Sequence, residues 1–279
     1  MTNFVSPGLS LAAALSWGAA DFSGGLAAKR VNTFAVVVVA HGTGLLFMLA
    51  LALLAHEPLP NRVSLLWGIA AGLVGGVGLA AFYKALAIGK MGVNAPLSAV
   101  VTALLPLLFS FSTEGLPRPW QLIGFALALT SVWLIAATPA LGRPAKGLGL
   151  AVLAGIGFSG FLLFSKLAGA AAVFWPLVSA RAASFLLMLT IVLSSKRDWK
   201  PISGCLWYML VAGILDSAAN ALYIVATQHG RLDVAAILAS LYPASTVLLA
   251  RALLNERLSR MQSIGIVAAL FAIAIITAK

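Results

Sequence analysis

The sequence is short of charge. Lys, Arg, Asp and Glu together make up 9% of its 279 residues, where a soluble domain carries about 25%. With 62% of its residues hydrophobic, the chain lacks the polar surface that would cover a water-facing exterior. That excludes a soluble globular domain, and the excess of apolar residues excludes a disordered chain. Acid is scarcer still: 7 Asp+Glu stand against 18 Lys+Arg, a net charge of +11. The basic residues sit singly or in pairs between apolar runs, with no cluster or readout motif, so no nucleic-acid partner is expected. There is one cysteine, Cys205, which excludes an internal disulfide, a CxxC redox pair and a thiolate metal cluster. No HExxH, P-loop or aspartate-rich prenyl-binding motif is present, and no set of metal ligands stands out. No enzyme, cofactor or metal is therefore expected, nor transport driven by ATP on this chain.

What the sequence has is continuous apolar runs of about 20 residues, the length a spanning helix requires. A barrel would alternate apolar and polar residues instead. Ten runs can be drawn: 8–28, 33–55, 64–88, 93–113, 120–138, 147–168, 174–194, 206–227, 234–254 and 262–278. The predicted fold is an all-α membrane protein of ten transmembrane helices, with no loop long enough to be a domain. The first run is long enough to remain as a helix rather than be cleaved as a signal.

The longest central break, 139–146, divides five runs from five, and the halves 1–138 and 147–279 carry matching marks. Gln121-Leu-Ile-Gly124 matches Gln262-Ser-Ile-Gly265, and Gly89-Lys90 and Val93 match Gly230-Arg231 and Val234 at the same offset. With slips of one residue, Ala81-Phe-Tyr83 meets Ala221-Leu-Tyr223 and Glu114 meets Glu256. Gly18 to Lys29 and Gly155 to Lys166 are equally spaced. Together these marks read as a duplication. Five spans per copy is an odd number, so the second copy enters the membrane from the opposite side. Secondary transporters use such inverted repeats, with the substrate site near the midplane. One set of loops and termini carries Arg62, Arg118, Lys166, Arg231 and Lys279. The other carries Lys29, Arg30, Lys90, Arg143, Lys146, Lys196, Arg197, Lys200, Arg257 and Arg260. This split favours both termini outside.

Ionisable residues deep in spans are costly and mark function. Arg181 and Asp216 lie in consecutive runs, about 13 residues before and about 10 after their turn. At 1.5 Å per residue this is a depth difference of roughly 4–5 Å, which an Arg can span. They read either as a structural ion pair or as a pair whose Asp216 meets a substrate amine or a proton. Asn220 and Tyr223 share roughly the Asp216 face. Asp21 follows Trp17 by one turn, and its alternatives are a substrate contact or a pairing with Lys84 or His41. For His41 an interhelical hydrogen bond is expected. Gly68, Gly72 and Gly76 mark a close helix contact; Pro96, Pro106 and Pro243 are expected to bend their helices. Trp67, Trp120, Trp199 and Trp207 read as interfacial. Gly157-Phe-Ser159-Gly160 and His41 resemble the motifs of rhomboid intramembrane serine proteases, but in reversed chain order, which leaves that enzyme a remote alternative.

Trp17-Gly18, the acidic turns Thr113-Glu114 and Asn255-Glu256-Arg257-Leu258, the glutamines Gln121 and Gln262 that follow them, and the five-plus-five pattern resemble the drug/metabolite transporter superfamily, EamA branch. The mid-helix aromatics are most similar to aromatic amino acid exporters of the YddG type. The resemblance implies a multi-pass protein of the bacterial inner membrane, a monomer in the lipid bilayer that exports amino acids or related small molecules by alternating access. It also implies both termini in the cytoplasm, against the charge split. Expected substrate-lining residues are Trp17, Asp21, Tyr83, Ser98, Phe158, Ser159, Asp216, Asn220, Tyr223 and Tyr242, with Asp21 and Asp216 for an amine or a proton. The two turn glutamates read as structural. A proton-coupled multidrug carrier and a nucleotide-sugar carrier are the alternatives. The latter is disfavoured because Arg181 alone is deep enough to meet phosphates. A structural protein or chaperone would have no accessible cavity.

Overall fold

The computed structural model describes residues 4–89, 91–136, 146–170, 172–194, 203–254 and 259–278. The described residues are helical, without strands. The helices are α1 (Val5–Ala28), α2 (Thr33–Leu54), α3 (Arg62–Ile88), α4 (Met91–Thr113), α5 (Pro119–Ala136), α6 (Leu148–Ala168), α7 (Phe174–Ser194), α8 (Ser203–His229), α9 (Leu232–Ala239), α10 (Tyr242–Leu254) and α11 (Arg260–Thr277). The ninth expected span is thus interrupted: α9 stops at Ala239 and α10 restarts at Tyr242, just before Pro243. The expected bend is a break, because Pro243 has no N–H to carry the helix ladder through. Most of the central break 139–146 lies outside the described residues. So do the turn of Glu256, Trp199 and the loop charges Lys90, Arg143, Lys196, Arg197, Lys200, Arg257 and Lys279.

Among the described residues eight stretches are long and apolar enough to cross a membrane, and Pro119–Leu134 is a shorter apolar helix. α1 is long enough but falls short of that apolarity. It carries Ser6, Ser10, Ser16, Asp21 and Ser23, and it packs against α2, α3, α8, α9 and α10 inside the bundle. Side chains are sorted by size: much of the buried core is alanine, while Leu46, Leu66, Leu108, Leu186, Trp207 and Phe271 point outward. Such an exterior suits lipid, and small interior residues let helices approach closely where lipid gives no hydrophobic drive. The glycine stripe of α3 shows this directly. A Cβ on Gly68, Gly72 or Gly76 would run into Pro176, Ala180 or Ser184 of α7.

The helix contacts come in exchanged pairs. α1 lies along α8 and α3 along α6; α3 meets α7 and α8 meets α2; α4 meets α6, while α9 and α10 meet α1; α2 packs on α7 and α5 on α11. Local signals start several helices. Asn32 and Asn61 accept from Phe34 N–H at 3.0 Å and Ser64 N–H at 2.8 Å, capping α2 and α3. Gln121 accepts from Arg118 N–H at 3.1 Å, and Gln262 from Ser259 N–H at 2.9 Å. These two matched glutamines therefore do the same work at the starts of α5 and α11.

Candidate functional site

A cavity lies where α1, α3, α4, α6, α8 and the α9–α10 break converge, with α2 and α7 closing its far side. It offers about 60 Å³ to the centres of water molecules, enough for roughly four waters. A drug-sized occupant would require the helices to part.

Its polar wall is built from buried and part-buried groups. Arg181 on α7 donates through Nη2 to Asp216 Oδ2 on α8 at 2.5 Å. Sequence arithmetic treats the two as neighbours across a hairpin, but α7 and α8 scarcely touch, and α2 packs against both. Gly44 of α2 opens the path: a Cβ there would run into Ser217 and approach Gly213 O to 3.2 Å and Arg181 Nε to 3.4 Å. The ion pair and the cavity-facing Asp216 are therefore not alternatives, because both partners line the cavity. His41 bonds to Ser184 Oγ at 2.5 Å, the expected interhelical bond, and both also line the site. Trp17 Nε1 donates to Asn220 Oδ1 at 3.0 Å, tying α1 to α8.

Asp21 differs from the rest. It is 7% exposed and lines the cavity. Among the described residues no donor or cation forms a hydrogen bond or ion pair with it. Lys84 is exposed and His41 is committed to Ser184, so neither supplies the expected partner.

Six of the ten expected residues come together at the cavity: Trp17, Asp21, Phe158, Asp216, Asn220 and Tyr242. Four stand behind it. Tyr83 is buried where Gly24 has no Cβ, its ring 6.2 Å from Phe82. Tyr223 backs Trp17 with ring centroids 5.8 Å apart. Ser98 is buried on α4 beside Tyr242. Ser159 is turned to α4, where its hydroxyl lies 2.7 Å from Val101 O and 2.8 Å from Thr102 O. The rhomboid-like serine and histidine thus have separate partners. Sequence reading missed Ser184, Thr102, Ala239 and Ser240 as lining. Small uncharged residues give no signal of their own, although the proline that opens the break was visible.

A second polar cluster lies at the end of the bundle where the α4–α5, α6–α7 and α8–α9 turns meet. Glu114 takes an ion pair from Lys166, a bond from Ser110 Oγ at 3.0 Å and one from Leu232 N–H at 3.0 Å. Partial burial pushes the Glu114 carboxyl up. The Lys166 and Leu232 hydrogen bonds, the Lys166 charge and the Ser110 bond outweigh that and hold it below the ordinary carboxylate range. Arg231 pairs with the buried Asp233 at 2.7 Å and donates to the carbonyls of Glu114 and Gly115 at 3.0 and 2.7 Å. Glu57 caps α7 from the α2–α3 turn, accepting from the N–H groups of Val173, Phe174 and Trp175.

Among the described residues no group of His, Cys, Asp and Glu could hold a metal. No curated protein matches the sequence. A solved structure described as "Crystal structure of protein" is similar over 97% of this chain and 95% of its own, with 18% identity and a TM-score of 0.78. This likeness shows a shared fold. The model of the EamA-like transporter family matches twice, over residues 7–137 and 145–278. This multi-pass helical membrane protein belongs to the EamA-like transporter family.

Proposed function

We propose that the chain exports aromatic or other hydrophobic amino acids across the bacterial inner membrane by alternating access, as a monomer and without an enzymatic step. Its working parts are two inverted five-helix halves, 1–138 and 147–279, joined at 139–146. The paired helix contacts, the like-acting glutamines and the double family match support this arrangement. Rocking of one half against the other would widen the small cavity toward each side in turn.

One observation carries the substrate reading: one aromatic-edged cavity offers an acid with no hydrogen bond among the described residues and a guanidinium that is only partly used. Arg181 spends one N–H on Asp216 and has others for a carboxylate; Asp21 is open to an ammonium. A zwitterion buried away from water needs a partner for each charge, and this wall has both. Trp17, Phe158, Phe161 and Tyr242 supply flat apolar surface for the side chain. Counterflow of labelled phenylalanine, tryptophan and leucine into proteoliposomes tests this. Saturable uptake led by the aromatic substrates is expected, and failure of every amino acid to move would overturn the substrate reading.

The bond-free Asp21 also favours a second reading, a proton-coupled carrier of amphipathic amines. Amine efflux driven by an imposed pH gradient, with no amino-acid movement, would select it. A nucleotide-sugar carrier is less suited, because the one deep cation among the described residues, Arg181, is tied to Asp216.

A further inference from the structure

We infer that the break between α9 and α10 and the carboxylate of Asp21 together build an all-oxygen site for a small cation: the primary ammonium of the transported molecule or a sodium ion. The inference deepens the substrate reading above and rests on it for the ammonium case.

Breaking a span deep in a membrane strands backbone carbonyls, and such backbone is tolerated where it lines a cavity. At this break Ser240 N–H bonds to Ala236 O at 2.9 Å, Leu241 N–H to Leu238 O at 3.3 Å, and Ala244 N–H to Leu241 O at 2.9 Å. Those bonds pass over the carbonyls of Ala239 and Ser240. The donor that would meet Ala239 O in a continuous helix belongs to residue 243, which is proline. Ala239 and Ser240 both line the cavity. They stand at the C-terminal end of α9, where the helix presents partial negative charge.

Asp21 faces the same small cavity. Tyr242, the first residue beyond the break, and Asp216 line that cavity with it. The first turn of α10 is fastened to α1 just before Asp21. Ser245 Oγ donates to Ala14 O at 3.1 Å, and Thr246 Oγ1 to Gly18 O at 3.1 Å. A Cβ on Gly18 would strike Ser245 and Tyr242 O, so the two helices meet without a spacer. Arg181 and Asp216 cancel, which leaves Asp21 the one uncompensated formal charge among the described lining residues. One carboxylate and two carbonyls offer the oxygen ligands that a sodium ion takes. They also match the three N–H donors of a primary ammonium, which a quaternary ammonium lacks.

Calorimetric binding of phenethylamine to the full chain in nanodiscs tests the site. Phenethylamine has no carboxylate, so its binding does not depend on an amino acid being the substrate. If it binds while labelled phenylalanine fails to move in proteoliposomes, only the amino-acid reading falls. Asp21→Asn is expected to weaken phenethylamine about tenfold or more, the loss of a charge-assisted bond. Its N,N,N-trimethyl derivative should bind wild type about tenfold more weakly for the same reason. Pro243→Ala restores an N–H for Ala239 O. It should lower the affinity while leaving the unfolding midpoint unchanged or raised, which a merely structural proline would not do. Sodium replacing choline at constant ionic strength should compete with phenethylamine if the inorganic ion is the natural occupant, and should not if the ammonium is. Equal binding of the trimethyl derivative, undiminished binding in folded Asp21→Asn, unchanged binding in Pro243→Ala, or no binding of either cation to wild type would overturn the proposal.

Discussion

Glu114 and Asp21 are both acids of a protein that has few. Glu114 sits at the end of the bundle and is met by Lys166, Ser110 and the Leu232 N–H. Asp21 sits in the centre, where burial costs most, and among the described residues it accepts no hydrogen bond. The satisfied acid fastens the ends of α4, α6 and α9; it is a structural part. The unsatisfied acid contributes nothing to holding the helices together that the contacts reveal, and an unpaired buried carboxylate is expensive. Asp216 lines the same cavity as Asp21, is less buried and has its own cation, and Asp233, more buried than Asp21, has one too. Partnership, rather than burial, separates the acids that hold the fold from the one we propose takes a ligand.

Breaking the partnership of Asp216 should have the largest effect on stability. Arg181→Met leaves that part-buried carboxylate without its cation, and the expected loss is about 3 kcal/mol, the low end for a buried pair, read as a fall in the thermal unfolding midpoint in detergent. Adding Asp216→Asn should recover much of it. If the single variant unfolds like wild type, the ion pair is not what lets both charges stay inside.

Glu114→Gln should cost less, about 1 kcal/mol, because the pair with Lys166 is partly exposed and screened. Its pH dependence has a definite sign. The folded protein holds the Glu114 carboxyl below its ordinary range, so the stabilisation is complete above that range and is lost as pH falls through the lowered value. The gap between the unfolding midpoints of wild type and Glu114→Gln should therefore close on acidification, and a gap that widens would refute the assignment.

Asp21→Asn is expected to cost the least stability, none or a slight gain, since it removes a buried charge without removing a bond. A loss as large as that of Arg181→Met would mean that Asp21 has a structural partner after all.

Much of this was legible in the sequence, for identifiable reasons. A bilayer fixes the length of an apolar run, so the spans could be drawn from composition. Arg181 and Asp216 could be paired because a turn fixes the relative depth of two consecutive runs. Glu114 was read as structural from its position at a helix end, and its three donors agree. The route of the ion pair was not legible, since nothing in a linear pattern says that α2 lies between α7 and α8 or that Gly44 clears the way. Glu57 reads as loop punctuation until the fold brings Val173 to it from 116 residues away. Ser159 looked like lining because serine in a span is polar, yet a carbonyl of the neighbouring helix can absorb one hydroxyl unseen. Pro243 announced a disturbance, but only the fold shows that the span stops at Ala239 and restarts at Tyr242 beside the cavity that Asp21 lines.

The central claim concerns the division of labour between the two acids, and one paired measurement reaches it. Asp21→Asn and Glu114→Gln are reconstituted side by side, with counterflow of labelled phenylalanine and the unfolding midpoint recorded for each. The expected result is a crossing: Asp21→Asn keeps the wild-type midpoint and loses transport, while Glu114→Gln loses stability and, below its midpoint, still transports. Transport by Asp21→Asn at the wild-type rate, with the same substrate dependence, would contradict it.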